Sequence, residues 1–307
     1  MNFEVVTTDL AFPEGPVWME DGSVVVVEVA SGRITRVSPD GRRRIVAQPG
    51  GGPNGAALGP DGALYVCNNG GMICHVVDGL TYTGGEATPD YETGRIERID
   101  LATGKTERLY DTVDGRRLAG PNDIVFDAHG GFWFSDLGKH RGHIREDGGI
   151  FYAKADGSSI TRVVDHFFPN GIGLSPHGKT LYAALSFDRL LVSFEVTAPG
   201  ELALDGMIPG RVVTSFPGRQ LLDSLAVTAS GKVCVATVFE SAGIATVDPS
   251  NNNSTGNWIQ RDLPDLIPTN ICFGRPDMSD AWITLSSSGR LIKTRWDEPG
   301  LRLPHYA

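Results

Sequence analysis

The sequence of 307 residues has few cysteines and no long apolar run. Four cysteines do not make a disulfide framework, and Cys234 and Cys272 lie in apolar runs typical of buried thiols. Cys67 and Cys74 could pair, but reduced thiols are the expectation for an intracellular chain. The purely apolar runs, such as residues 24–27, are far too short to span a bilayer. These shortages exclude a disulfide-rich scaffold and predict no membrane-spanning helix.

Basic residues are also scarce, since 27 Lys and Arg face 37 Asp and Glu, a formal net charge of −10. Such a chain is a poor partner for nucleic acid, which needs basic surface to displace counterions, and for an anionic membrane. The first ten residues carry Glu4 and Asp9 and lack the basic-then-apolar pattern of a signal peptide. We therefore expect a cytoplasmic protein that binds neither nucleic acid nor membranes, with the oligomeric state left open.

Glycine and proline, in contrast, are abundant, with 39 and 19 copies. No collagen period is present and 40% of the residues are hydrophobic, so the excess indicates many turns rather than a fibrous or disordered chain. A long helical bundle is not expected from this composition. The abundance of turns therefore favours short strands and repeats of strands.

Six segments of the chain open in the same way. Each begins with a polar residue and continues with an apolar run, a polar turn and a second apolar run, which predicts a hairpin. In five of the six, a proline stands one or two residues earlier. A third strand usually follows, opened by glycine. We call the polar residues the six openings: Glu14, Asn54, Asn122, Asn170, Asp223 and Asn270.

The spacing of the openings predicts the architecture. They are 40, 68, 48, 53 and 47 residues apart, and a four-stranded propeller blade takes roughly 40–50 residues. We therefore expect an all-β chain: one domain over residues 1–307, a six-bladed β-propeller with four-stranded antiparallel blades around a central channel, closed by a strand over residues 3–8. A β-sandwich is the alternative, but it does not predict repeated polar openings. The longest spacing holds an insertion, about residues 70–93, expected to be a lid or pocket wall, or else a disordered loop.

In a propeller the six openings would converge near the mouth of the channel. Two carboxylates and four amides then make a ring of oxygen donors, which suits a hard divalent cation such as Ca²⁺ or Mg²⁺. Without a cation, two close carboxylates repel and one of them must hold a proton. Because Pro-Asn-Gly is also a common turn, Asn54 and Asn270 could be turn residues only.

Four ordered motifs strengthen this interpretation. They are Phe-Pro-Glu-Gly-Pro-Val-Trp at 12–18, Pro-Asn-Asp-Ile-Val-Phe-Asp at 121–127 followed by Gly-Phe-Trp-Phe-Ser-Asp at 131–136, Phe-Pro-Asn-Gly-Ile at 168–172, and Leu-Asp-Ser-Leu-Ala-Val at 222–227. With them the chain resembles the SMP-30/gluconolactonase/LRE family of six-bladed propeller lactonases. The resemblance implies Glu14, Asn170 and Asp223 as metal ligands, with Asn122 at the metal or the substrate. One divalent cation is expected, Ca²⁺ ahead of Zn²⁺, Mg²⁺ or Mn²⁺.

Two positions depart from the pattern of that family. Its sugar lactonases often carry an arginine two residues before the central asparagine, where this chain has Gly120, and a glycine after the aspartate, where this chain has Ser224. Both differences resemble the branch of bacterial lactonases with a broader substrate range. A small-molecule lactone is therefore the expected substrate, without commitment to a sugar acid lactone.

The expected reaction is metal-assisted hydrolysis of that lactone. The cation would polarise the carbonyl, and Asp223 would act as general base on water or attack the carbonyl directly. Amides of Asn122 and Asn170 would orient the carbonyl group. Further candidate substrate contacts are Asn54, Ser224, His140 and His143, although a solvated loop is the alternative for the two histidines.

Other function classes stay open from the sequence. An arylesterase or phosphotriesterase could use the same metal ring, and a propeller can also be a binding module without chemistry. A condensing enzyme of the strictosidine-synthase type shares the fold but works without this metal ring. The Gly-x-Ser-x-Gly elbow of serine hydrolases is absent from the sequence.

Overall fold

The computed structural model of the protein describes residues 2–204, 209–251 and 256–305. Within these ranges the regular elements are 31 β-strands, with no helix among them. Accordingly, the described residues contain no helix long and apolar enough to cross a membrane. The expectation of an all-β chain is confirmed.

The first half of the chain contributes 17 strands. They are β1 (Glu4–Thr7), β2 (Pro13–Trp18), β3 (Val24–Glu28), β4 (Arg33–Val37), β5 (Arg43–Ala47), β6 (Pro53–Leu58), β7 (Leu64–Asn68), β8 (Met72–Val77), β9 (Leu80–Ala87), β10 (Arg95–Ile99), β11 (Thr106–Tyr110), β12 (Thr112–Val113), β13 (Arg116–Arg117), β14 (Pro121–Phe126), β15 (Gly131–Asp136), β16 (Lys139–Arg141) and β17 (Ile144–Glu146).

The second half contributes the other 14. They are β18 (Gly148–Lys154), β19 (Ile160–Phe167), β20 (Pro169–Leu174), β21 (Thr180–Leu185), β22 (Leu190–Ala198), β23 (Glu201–Leu202), β24 (Arg211–Ser215), β25 (Leu221–Val227), β26 (Val233–Val238), β27 (Gly243–Val247), β28 (Trp258–Asp262), β29 (Pro268–Gly274), β30 (Asp280–Leu285) and β31 (Arg290–Arg295).

Most strands belong to six antiparallel sheets, numbered here in chain order. Sheet 1 is β2-β3-β4-β5, sheet 2 is β6-β7-β10-β11, sheet 3 is β14-β15-β18-β19, sheet 4 is β20-β21-β22-β24 with the short β23 beside β22, sheet 5 is β25-β26-β27-β28, and sheet 6 is β29-β30-β31-β1. The prediction of four-stranded antiparallel sheets is confirmed. Each sheet begins with the strand that carries one of the six openings.

The N-terminal strand completes the last sheet. β1 pairs with β31, with Val5 opposite Ile292, which places the strand expected over residues 3–8 at Glu4–Thr7. The first strand of each sheet contacts that of the next sheet, and β29 of sheet 6 contacts β2 of sheet 1. The six openings are therefore carried by strands that neighbour one another.

The core lies between the sheets. Second strands such as β7 and β15 are buried at every position, because a sheet packed on both faces needs apolar side chains on both. Aromatic pairs fill the contact within sheet 3, with the rings of Phe134 and Phe151 stacked at 4.9 Å and those of Trp133 and Tyr152 at 5.0 Å. All four cysteines are free thiols, as the sequence suggested.

The insertion forms a hairpin, β8–β9, and belongs to an additional sheet. This sheet has the order β8-β9-β16-β17 and is called the cap sheet here. Its two hairpins come from the loops of sheets 2 and 3, and they join where Glu86 of β9 pairs in parallel with His140 of β16. The tip of the insertion reaches sheet 6, since the Thr81 amide donates to the Ser287 carbonyl at 2.8 Å. The insertion therefore contains ordered strands, and the alternative of a disordered loop does not apply.

The C-terminal segment 299–305 crosses the ends of several first strands, opposite the openings. The Leu301 amide donates to the Val227 carbonyl at 2.9 Å, and the Gly300 amide donates to the Met278 carbonyl at 2.7 Å. Leu301, Leu303 and His305 line the end of a cavity that the six first strands also line. The segment thus covers one end of this cavity, and the openings lie at the other.

Candidate functional site

The strand pairing is irregular at all six openings. The register between the first two strands shifts between Glu14 and Val17 in sheet 1 and between Leu222 and Leu225 in sheet 5. The other four sheets show the same shift, at positions 53–56, 121–124, 169–172 and 268–270. A bulge leaves a residue outside the ladder and re-aims its side chain. This repeated bulge explains how polar side chains are accommodated in strands that are otherwise apolar.

Side chains at the ends of second strands fix the openings of neighbouring sheets. Ser186 donates to the Leu222 carbonyl and Ser286 donates to the Pro13 carbonyl, both at 2.5 Å. In the same way Ser135 donates to the Asn170 carbonyl, and the Cys67 thiol lies 3.6 Å from the Asp123 carbonyl. These groups were not predicted from the sequence, although a small polar residue at the same place in several repeats is a signal that could have revealed them.

Glu14 is a buried carboxylate held from two sides. It is 2% exposed, and its Oε2 accepts hydrogen bonds from the Gly15 amide at 2.6 Å and from Asn270 Nδ2 at 2.9 Å. Burial raises the pKa of Glu14 to about 7, against the lowering effect of these hydrogen bonds and one from Thr269. Asn270, which the sequence left as a possible turn residue, therefore orients this carboxylate.

Asp223 belongs to the same electrostatic cluster. Desolvation raises the pKa of Asp223 well above its ordinary value, and the charge of Glu14 raises it further. A hydrogen bond from the Asn170 side chain acts in the opposite direction. Two carboxylates that disfavour each other's charge in a desolvated place are the arrangement that a divalent cation relieves.

The two central asparagines have unused acceptors. Asn122 and Asn170 are 5% and 6% exposed, and the Oδ1 atom of each has no hydrogen-bond partner in the described part of the chain. An unpaired buried acceptor is costly, by about 1–3 kcal/mol. Amide oxygens beside carboxylates are ligands that Ca²⁺ and similar cations accept. The residues Glu14, Asp223, Asn122 and Asn170 therefore fit a divalent cation in donor chemistry and in their unsatisfied atoms.

A third carboxylate, Asp123, was not predicted from the sequence. Its Oδ1 accepts from the Ile124 amide at 2.9 Å, its Oδ2 accepts from the Ile172 amide at 3.2 Å, and it lines the cavity below the openings. Burial raises the pKa of Asp123 to about 7, and the charge of Glu14 contributes. The signal was an acidic residue directly before the apolar run 124–126, where a turn alone does not require one.

The other predicted contacts are placed at different depths. Asn54 is 6% exposed at the opening of sheet 2, and Ser224 is 1% exposed beside Asp123, whose pKa it lowers. His140 and His143 lie on the β16–β17 hairpin of the cap sheet with exposed side chains. Within the described residues no hydrogen bond joins either histidine to the openings. Their contact with a substrate stays a prediction.

The structure gives a steric reason for Gly120. A Cβ atom at this position would lie 2.3 Å from the Gly138 carbonyl oxygen, so a side chain there would clash with backbone. The Asp136 carboxylate holds this loop by accepting from the Ala119 amide at 2.9 Å and the Gly120 amide at 2.7 Å. The backbone before Asn122 is thus fixed by Asp136.

The motifs and their geometry agree with a comparison of the sequence with known families. The description SMP-30/Gluconolactonase/LRE-like region matches residues 12–287. The chain belongs to this family. Among individual relatives, a gluconolactonase from Zymomonas mobilis is 26% identical over 204 residues, which cover 60% of this chain and 51% of that protein. Lactonase drp35 from Staphylococcus haemolyticus is 30% identical over 173 residues, 55% of this chain and 46% of that protein.

These two matches span about half the length of the relatives. Two solved structures cover more of the chain at lower identity. A gluconolactonase from Xanthomonas campestris aligns with a TM-score of 0.74 and 22% identity over 95% of this chain and 89% of that one. Regucalcin, a calcium-binding protein from Agrobacterium tumefaciens, aligns with a TM-score of 0.71 and 19% identity over 98% of both chains. At such identities the likeness establishes the fold alone.

Proposed function

We propose that this member of the family is a metal-dependent hydrolase that opens lactones. The proposal includes a six-bladed propeller, supported by the six sheets and by the contacts that run from β2 through the other first strands to β29 and back to β2. One observation carries the function: the buried Oδ1 atoms of Asn122 and Asn170, at neighbouring openings, have no partner among the described residues. The Asn170 side chain also bonds to Asp223, whose ionisation the charge of Glu14 opposes. The lactonase names of the relatives support the substrate class.

The metal site would consist of Glu14, Asp223, Asn122 and Asn170. Ca²⁺ is the proposed ion, because all four side chains offer oxygen and the similar regucalcin is a calcium-binding protein; Zn²⁺, Mg²⁺ and Mn²⁺ are the alternatives. When bound, the cation would supply Lewis acidity at the lactone carbonyl and charge stabilisation in the transition state. Asn270 keeps the Glu14 carboxylate oriented for this role.

Asp223 is the proposed general base. Once the negative charge of Glu14 no longer opposes its ionisation, the Asp223 carboxylate is ionised and accepts a proton from the attacking water at an Oδ atom. The water oxygen bonds to the carbonyl carbon, the ring C–O bond breaks, and the proton passes to the departing alkoxide. Direct attack by Asp223 is the competing path. Asn54 and Ser224, at the same end of the first strands, are proposed to contact the substrate.

The cap sheet is the proposed lid. Its insertion hairpin begins at sheet 2, pairs with the loop of sheet 3 and reaches Ser287 of sheet 6 at the end where the openings lie. His140 and His143 are carried on this sheet, so a substrate contact from them would come from the lid. A cytoplasmic location and a single domain remain predictions.

The experiment is a panel of lactones assayed in chelator and with each divalent cation. We expect turnover of aliphatic or aryl lactones that chelator abolishes and Ca²⁺ restores. Asp223→Asn and Glu14→Gln should each abolish turnover while the protein still unfolds cooperatively. Glu28→Gln is the matched control, because Glu28 is buried in sheet 1 but bonded to Thr35 and Ala11 rather than to the openings.

The same panel separates the alternative functions. Full activity in chelator would refute the metal-dependent mechanism. Turnover of an aryl ester or an organophosphate in preference to every lactone would favour an arylesterase or phosphotriesterase. Stoichiometric metal binding with no turnover of any substrate would favour a binding module.

A further inference from the structure

Lys139 is a buried cation without an ion pair. It lies at the start of β16, is 3% exposed, and its Nζ donates to the Asn69 carbonyl at 2.8 Å and to Asn69 Oδ1 at 3.1 Å. The ring of Tyr91 lies 5.0 Å from Nζ. No carboxylate of the described residues forms a salt bridge with it. A buried ammonium group without a counter-ion is unfavourable unless another ligand compensates it.

The nearby carboxylates are engaged elsewhere. Glu146, opposite Lys139 in the β16–β17 pair, forms its ion pair with Arg141. Asp136 accepts hydrogen bonds from the backbone amides of Ala119, Gly120 and Gly138. Burial lowers the pKa of Lys139 to about 8, while the charges of Asp136 and Glu146 act to raise it. At pH 7 the side chain is therefore mostly a cation.

Asn69 adds a second unsatisfied donor at the same place. Its Oδ1 accepts from the Gly71 amide at 2.9 Å as well as from Lys139, which fixes the orientation of the amide. The Nδ2 atom is buried and has no partner among the described residues. The ammonium group of Lys139 thus contacts an amide whose own Nδ2 donor has no acceptor among the described residues. Such a pair suits an anionic oxygen ligand.

The pair lies beside the proposed metal site. Asn69 packs against Gly52, just before the opening of sheet 2, where a Cβ atom would lie 2.4 Å from Asn69 Oδ1. Tyr91, below the ammonium group, donates to the Ala119 carbonyl at 2.6 Å, just before the opening of sheet 3. Lys139 and Asn69 therefore lie near the backbone that precedes Asn54 and Asn122. A ligand bound here would reach from the cap sheet towards the openings.

We infer that Lys139 and Asn69 form a carboxylate subsite, and that the preferred substrates are lactones whose ring carries a free carboxylate group. The inference rests on the proposed function and names its substrate class. The carboxylate would accept the third N–H of Lys139 and the free N–H of Asn69, while the lactone carbonyl lies at the openings. Neutral lactones would leave both donors unpaired.

The test compares γ-butyrolactone carrying a γ-carboxylate with its methyl ester, at pH 7 and with Ca²⁺. The protein should hydrolyse the acid with a kcat/KM at least tenfold higher than that of the ester. Lys139→Met should lower this acid-to-ester ratio at least tenfold. Asn69→Asp should lower it as well, because the new carboxylate pairs with Lys139 and repels the substrate. Lys105→Met, which removes an exposed lysine of sheet 2's loop, should leave the ratio unchanged.

A structural role for Lys139 predicts a different result. In that case Lys139→Met would reduce the turnover of acid and ester by the same factor, which would overturn the inference. An acid-to-ester ratio that does not fall between pH 7 and pH 9, where Lys139 loses its proton, would also contradict it. If no lactone is hydrolysed, the proposed function fails, and calorimetry with glutarate decides the subsite separately. Binding that Lys139→Met weakens at least tenfold supports the subsite, and equal binding refutes it.

Discussion

Replacing Glu14 by glutamine tests whether the openings are built for a cation. The variant keeps the shape of the side chain, and its amide oxygen can still accept from the Gly15 amide and from Asn270. It removes the charge that raises the pKa of both Asp123 and Asp223. In chelator at pH 8 we therefore expect Glu14→Gln to be more stable than the unmodified chain, and with Ca²⁺ we expect the reverse order.

The magnitude follows from the pKa of Glu14, which burial raises from 4.5 to about 7. At 1.36 kcal/mol per pKa unit, the ionised carboxylate is disfavoured in the folded state by about 3 kcal/mol. The folded state holds the Glu14 proton more tightly than the unfolded chain does. The protonated carboxyl group therefore stabilises the fold fully below pH 4.5, and this contribution to stability is lost as the pH rises through 7. For a chain of this length, about 3 kcal/mol corresponds to a change in Tm of about 5 °C.

The assay is thermal unfolding of both proteins between pH 5 and pH 8, in chelator and with Ca²⁺. The Tm of the unmodified chain should fall more steeply with pH in chelator than that of Glu14→Gln. Glu28→Gln removes a carboxylate bonded to Thr35 and paired with Arg33 and should be destabilising in both buffers. Parallel pH profiles for the unmodified chain and Glu14→Gln, or no gain from Ca²⁺, would refute the reasoning.

Three further predictions concern the elements around the site. Asp136→Asn replaces an acceptor of three backbone amides, so we expect the free energy of unfolding, measured by urea denaturation, to fall by about 2–3 kcal/mol. We also expect slower lactone turnover, because the backbone before Asn122 loosens. Leu301→Ala should lower the free energy of unfolding by about 1–2 kcal/mol without affecting turnover, since this half-buried residue lines the cavity at the end opposite the openings. Loss of metal binding in this variant would contradict the prediction. Replacing 73–86 by a short Gly-Ser linker should leave the six sheets folded by circular dichroism but raise the KM for lactones; an unchanged KM would refute the lid.

Much of the fold could be predicted because the repeat is local. A polar opening, an apolar run, a Gly or Asp turn and a second apolar run recur six times, and hairpins depend on residues close together in sequence. Even the pairing of β1 with β31 follows once a ring of sheets is assumed, since a last sheet without its fourth strand would expose an edge. The insertion was recognisable as extra chain, but its parallel pairing with β16 joins two loops far apart in sequence.

The candidate site, like the fold, could be predicted from the sequence only in part. The sequence by itself determined which residues open the strands, and so it named all six openings as oxygen donors. The resemblance to the family then singled out Glu14, Asn122, Asn170 and Asp223. Only the tertiary structure decided that Asn270 holds Glu14, that Asp123 adds a third carboxylate, and that Lys139 meets Asn69 without a counter-ion. The reason is physical: donor type is a property of one residue, whereas a pKa or an unpaired hydrogen bond is created by neighbours that the fold brings from distant parts of the chain.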